Sequence, residues 1–192
     1  MGHTERQRPQ RTQREIASSQ STLLSMETYL ILKRGMTQGK KNIYTLGTSN
    51  RTLEEFLEIL QAYGIGRVVD VRRFPTSSRY PWFNKEPLTQ ALKGKGISYH
   101  HLGEELGGYR RGGYQAFTQT PAFQEALKKL EALALENTTA IICAERLPWR
   151  CHRRFITQAL EETGWRVVHI LEKDRTWQPS KKQPTLFPRE EI

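Results

Sequence analysis

Five short apolar runs, each separated from the next by a helical pattern, constrain this 192-residue chain more than any other feature. The runs are Ile43–Leu46, Arg67–Val71, Ile97–His100, Thr139–Cys143 and Arg166–Leu171. Between them fall helices that announce their own ends. Thr52 with Glu55 has the spacing of a capping box, and Gly64 closes the helix that follows. Further helices are expected over 85–93, from Pro121 to about Leu135, and from about Arg150 to Thr163 before Gly164. Strands alternating with helices of this length are joined by crossovers, which makes neighbouring strands parallel. The chain therefore reads as an α/β fold: a single three-layer domain around a mostly parallel sheet of about five strands.

Hydrophobic residues make up 36% of the sequence, too few to pack all of it. The expected organisation is a basic, largely disordered tail over 1–41, an α/β catalytic-type domain over 42–173 and a flexible tail over 174–192. Met36 is an alternative start to Met1. The net charge of +10 is uneven: eight Lys/Arg face three Glu in residues 1–41, five face three acids in 173–192, and seventeen face fourteen between. Basic tails of this kind suit a polyanion, with contacts that weaken as salt rises. No apolar run approaches a membrane span, and the opening residues lack the apolar core of a secretory signal. Two cysteines do not make a disulfide scaffold, so the expected home is the cytoplasm, away from any membrane.

Open α/β sheets bind ligands outside the carboxyl ends of their strands, and the chemistry of this chain collects there. The second strand runs into Asp70-Val71-Arg72, followed by Ser78 and Arg79. Arginine offers a planar fork matched to two anionic oxygens, so Arg72, Ser78 and Arg79 are candidates to hold phosphate; Arg72 also suits an ion pair with Asp70 or Glu145. Tyr80 and Trp82 are candidates to stack on a base, or to cap the core. The run Gly103–Gly113 brings paired glycines and Arg111, as a lid or a long connection, and contains no dinucleotide or Walker pattern.

The fourth strand ends in Cys143-Ala144-Glu145, and Cys151-His152-Arg153 opens the next helix. Asp70, Glu145 and His152 are candidates for acid–base or electrostatic roles, and Cys143 for a nucleophile. Cys151 and Arg153 are expected to bind anion at the helix N-terminus. A rhodanese- or phosphatase-like cradle fails on register, because Trp149 stands where its arginine belongs. Cys143, Cys151 and His152 do not have the spacing of a recognised zinc knuckle, and both cysteines also suit a role as small buried packers. The chain has only two aspartates, Asp70 and Asp174, which argues against a two-metal nuclease. No metal and no cofactor are expected on these grounds.

Gln183, Leu186 and Phe187 in the C-terminal tail resemble the short peptide by which bacterial polymerases and repair proteins dock on the sliding clamp. Residues 43–172 in turn resemble the prokaryotic family DUF488. The landmarks are Leu46-Gly47-Thr48-Ser49-Asn50, Asp70-Val71-Arg72 with Pro75 and Ser78-Arg79, Phe83-Asn84-Lys85, Leu106-Gly107-Gly108, and Cys143-Ala144-Glu145 with Cys151-His152-Arg153. The resemblance implies an α/β domain with these residues around one pocket, and supplies no reaction. The expected function is a DNA-acting enzyme in repair, hydrolysing without metal, for instance by removing a damaged base, and recruited by the clamp. The alternatives are an enzyme acting on a nucleotide or other phosphorylated small molecule, and a non-catalytic clamp-associated DNA-binding adaptor.

Overall fold

The computed structural model describes residues 41–178. Six strands form one sheet: β1 (Asn42–Gly47), β2 (Arg67–Asp70), β3 (Ser98–His101), β4 (Thr139–Cys143), β5 (Arg166–Glu172) and β6 (Arg175–Trp177). Their spatial order is β3-β2-β4-β1-β5-β6, with β1 to β5 parallel and β6 antiparallel at the edge. The sixth strand is a difference from the sequence reading. A tight turn at Lys173-Asp174 folds the polar residues that follow back onto β5, so the domain continues past the boundary expected at 173.

Six helices accompany the sheet: α1 (Leu53–Ala62), α2 (Lys85–Lys93), the short α3 (Gly103–Leu106) and α4 (Tyr114–Thr118), α5 (Pro121–Glu136) and α6 (Arg153–Glu162). Thr52 caps α1 by accepting from the Glu55 amide at 3.1 Å, as the capping-box spacing anticipates. The Glu55 side chain pairs with Arg51. Thr120 caps α5 in the same way, ahead of Pro121. Gly64 and Gly164, at φ 61° and 89°, let the chain leave α1 and α6 in the left-handed region. Helix α6 begins later than expected, because Pro148 starts a 3₁₀ turn over Pro148–Arg150 and Cys151 is extended.

Alternation along the strands sorts the core into two layers. Ile141 and Cys143 of β4 face α5 and α6, joining Phe123, Leu130, Ile156 and Leu160. Ala140 and Ile142 face α1 and α2, joining Phe56, Leu60, Leu88 and Leu92. Each layer buries its aliphatic face at about 25 cal/mol per Å², the main term holding helices to sheet. Among the described residues no helix is long and apolar enough to cross a membrane.

One polar pair crosses the sheet interior. His169 of β5 sits 2.7 Å from the Thr45 hydroxyl of β1, and both are buried. Burial, helped by the charge of Arg153, lowers the imidazole from its ordinary 6.5 to about 3. The unfolded chain therefore takes up a proton that the folded chain refuses, so this contribution is complete above about pH 6.5 and declines as pH falls. Urea unfolding should show stability dropping by up to about 1.4 kcal/mol per pH unit between roughly pH 6 and 4. His169→Gln should flatten that slope, and an unchanged slope would remove His169 as its source.

Candidate functional site

Strand β4 lies between β2 and β1, so three strand ends meet at one rim. The loops leaving them are stitched together by backbone. The Thr48 amide donates to the Cys143 carbonyl and the Ser49 amide to the Ala144 carbonyl, both at 2.8 Å. Gly47 permits the crossing: a Cβ there would run into the Glu145 carbonyl and lie 2.6 Å from the Arg146 Cα. Arg51, itself buried, hydrogen-bonds the carbonyls of Gly47 and Leu171 and pairs with Glu55 and Glu172.

Beside this seam lies a cleft of about 600 Å³. Of the residues singled out from sequence, Arg72, Tyr80, Cys143, Glu145, Cys151 and His152 line it. Asp70 does not. It is 0% exposed at the end of β2, and it accepts from the Arg72 amide, Nε and Nη2 and from the Tyr99 hydroxyl at 2.5–3.0 Å. A carboxylate so occupied has no free lone-pair direction for a substrate, so Asp70 positions Arg72 instead of doing acid–base work. Burial alone would lower the Arg72 pKa, but the hydrogen bonds and charge of Asp70 raise it. Tyr99 is pushed upward by burial and then by Asp70, and remains a phenol donor. Nη1 is the guanidinium nitrogen that Asp70 leaves untaken.

Arg153 is also 0% exposed, so it is no anion-binding side chain of the cleft. Its Nη2 donates to the carbonyls of Glu145 and Arg146, tying α6 to the loop after β4, and its Nε has no hydrogen-bond partner. Ser78, Arg79 and Arg111 are exposed but do not line the cleft; Ser77 takes the wall position expected of Ser78. Trp82 is half-buried, donates from Nε1 to the Arg51 carbonyl at 3.2 Å and packs on Tyr80, which makes it a support and not a stacking platform. Gln183, Leu186 and Phe187 lie outside the described residues. The glycine-rich segment is no free lid. A Cβ at Gly107 would lie 2.9 Å from the Arg73 Cα, Gly108 faces the His152 ring, and Arg110 holds the carbonyls of Glu104, Glu105 and Gly107.

At the cleft floor the two sulfurs are 3.2 Å apart, and the His152 Nδ1 is 4.0 Å from Cys143 and 3.7 Å from Cys151. The His152 Nε2 is 3.1 Å from the Val71 carbonyl. A carbonyl only accepts, so Nε2 carries a proton, and Nδ1 faces the sulfurs. The two thiols divide. Their mutual hydrogen bond, then burial, raises Cys143; the same bond lowers Cys151, with His152 and Arg153 adding to the effect against the cost of burial. Among the wall residues that sequence reasoning missed are Arg150 and the aromatics Phe74 and Tyr109, the latter two 68% and 93% exposed. Their signal was an aromatic flanked by arginine next to a proline or paired glycine.

The buried Asp70–Arg72 pair should dominate local stability. Asp70→Ala strands a buried guanidinium and should cost about 3–5 kcal/mol. Tyr99→Phe removes one hydrogen bond and should cost about 1–2 kcal/mol. Equal and small losses in urea titrations of the two variants would contradict the arrangement.

The geometry can be set beside known proteins. The profile of the family described as domain of unknown function DUF488 matches residues 52–160, from the α1 cap to the end of the α6 core. No curated protein and no solved structure matches the chain. The matched region holds Arg72, Glu145, both cysteines and His152, and it covers more than half of the sequence. This chain belongs to the DUF488 family.

Proposed function

We propose that this protein is a hydrolytic enzyme acting on nucleic acid, which draws one nucleotide unit into the cleft. The observation that carries this reading is the pair Phe74 and Tyr109. Single exposed aromatics are ordinary on protein surfaces. These two line one cleft, whose charged lining is Arg72, Arg150 and a single carboxylate, Glu145. Tyr109 is moreover held at φ 61°, a conformation that side-chain-bearing residues rarely adopt. Backbone strain of that kind is retained where a side chain must be presented. Ser49, the other non-glycine residue with positive φ among those described, lines the same cleft.

Exposed rings beside cations are what stacking on bases and gripping of phosphates require. The volume suits a single nucleotide and excludes a duplex, so the substrate unit is single-stranded or turned out of its stack. Arg72, fixed by Asp70, offers a preorganised donor to phosphate. Glu145 is the cleft carboxylate able to move protons beside the floor. Repair of DNA, and recruitment through Gln183, Leu186 and Phe187, fit this reading as its biological setting.

Fluorescence anisotropy with labelled single strands tests binding. Tyr109→Ala and Phe74→Ala should each weaken it by about 1–3 kcal/mol. Arg150→Ala should reduce the slope of log affinity against log salt by about 0.7. Abasic product from a panel of duplexes with single damaged bases tests hydrolysis, with Glu145→Gln expected to abolish product and keep binding. Absence of binding at low salt overturns the reading. Binding without product from any duplex would make the protein an adaptor.

A further inference from the structure

We propose that Cys143, Cys151 and His152 form a mononuclear zinc site of open, catalytic type, its fourth position facing the cleft. Four independent features of the cluster point there. The first is distance. Tetrahedral coordination with Zn–S of about 2.3 Å and Zn–N of about 2.0 Å sets S···S near about 3.8 Å and S···N near about 3.6 Å. The separations here are 3.2 Å between sulfurs and 4.0 and 3.7 Å from Nδ1 to each, so small side-chain adjustments close the site. All three ligand atoms lie within 4.8 Å of one another.

The second feature is the histidine. A metal-binding imidazole usually donates its other N–H to a carbonyl or carboxylate, which fixes the ring and its tautomer. His152 has that partner in the Val71 carbonyl, and it offers Nδ1, the nitrogen nearer the sulfurs. The third is the support: Cys143 ends a buried strand, and His152 caps a helix. Arg153 and the α5–α6 core layer brace the connection between them. Ligands on such elements need little ordering when metal enters.

The fourth is charge. Arg153 is wholly buried and has no ion pair among the described residues. A lone buried guanidinium is costly. Two thiolates, one divalent cation, one bound hydroxide and Arg153 sum to zero, so the occupied site neutralises it. Soft thiolate ligands select zinc over magnesium, calcium or manganese. No fourth protein ligand joins the three among the described residues, and all three line the cleft. That leaves a coordination position for water or for a substrate heteroatom, and Glu145, on the same wall, is free to exchange protons there. The proposal stands on the cluster alone and holds whether or not nucleic acid is the substrate.

The test uses the full chain and zinc or cobalt alone. Plasma mass spectrometry on protein purified without chelator should find one zinc per chain. Exchange with Co²⁺ should give thiolate-to-cobalt charge transfer and the visible bands of a tetrahedral site. Cys143→Ser or Cys151→Ser should halve the charge-transfer intensity, and His152→Asn should weaken zinc by more than the roughly 10- to 100-fold of a lost outer-shell partner. Should those variants misfold, wild-type protein still decides. Zinc should protect both thiols from alkylation, and a chelator should expose both. Cobalt-loaded protein without charge transfer, thiols equally reactive with and without zinc, or a zinc-free chain with a Cys143–Cys151 disulfide would each overturn the site.

Discussion

A single carboxylate organises the functional rim. Asp70, at the end of a four-residue strand, is surrounded by donors: three from Arg72 and one from Tyr99 on the neighbouring strand. A buried charge survives only when paired and fully hydrogen-bonded, and this one is. The pairing turns the chain sharply after β2, so Val71 and Arg72 leave the sheet in a fixed direction. The Val71 carbonyl then orients His152, and the Arg72 carbonyl receives His101. The cleft-lining arginine and the thiol–imidazole cluster thus hang from one turn. Damage to Asp70 reaches both.

The sheet order explains why the cleft is where it is. Inserting β4 between β1 and β2 separates two loops that would otherwise cover each other and places Cys143 between them. Backbone hydrogen bonds from Thr48 and Ser49 continue the β1–β4 pairing past the strands. This makes one wall nearly as rigid as the sheet. The cleft residues from Phe74 to Tyr80 are held by the Lys85 amide, which donates to the Pro75 carbonyl, and by the Ser77 amide, which donates to Asn84 Oδ1. The cysteines and Glu145 are thus carried by backbone-paired loops, and the two exposed aromatics line the same cleft.

The fold was readable because hydrophobic period and capping residues act locally: Thr52, Gly64, Thr120-Pro121 and Gly164 each mark an end by their own chemistry. β6 escaped because Arg175-Thr176-Trp177 is an edge strand with exposed residues, whose partner, not its composition, makes it a strand. Within the site, reactive residue types at strand ends located six wall residues. What sequence alone does not encode is which way a charge faces. Arg153 and Arg72 look alike in composition, yet one is folded inward onto carbonyls and the other keeps an edge at the cleft. Likewise Ser77 and Ser78 differ by one residue, and the turn that ends at Tyr80 selects the first.

The thiol cluster shows the same limit in its sharpest form. Seven residues lie between Cys143 and Cys151, a spacing with no meaning along the chain. A strand end, a 3₁₀ turn and a helix cap fold that interval back on itself until the sulfurs touch. The scarcity of aspartate bears on hard, oxygen-bound cations only. Sulfur and imidazole form a separate ligand class. The fold brings Cys143, Cys151 and His152 together, while the cleft is lined by one carboxylate, Glu145. Arg153 makes the distinction physical: its buried positive charge has no carboxylate partner among the described residues, and the two thiols are the groups beside it that a bound metal would turn into anions.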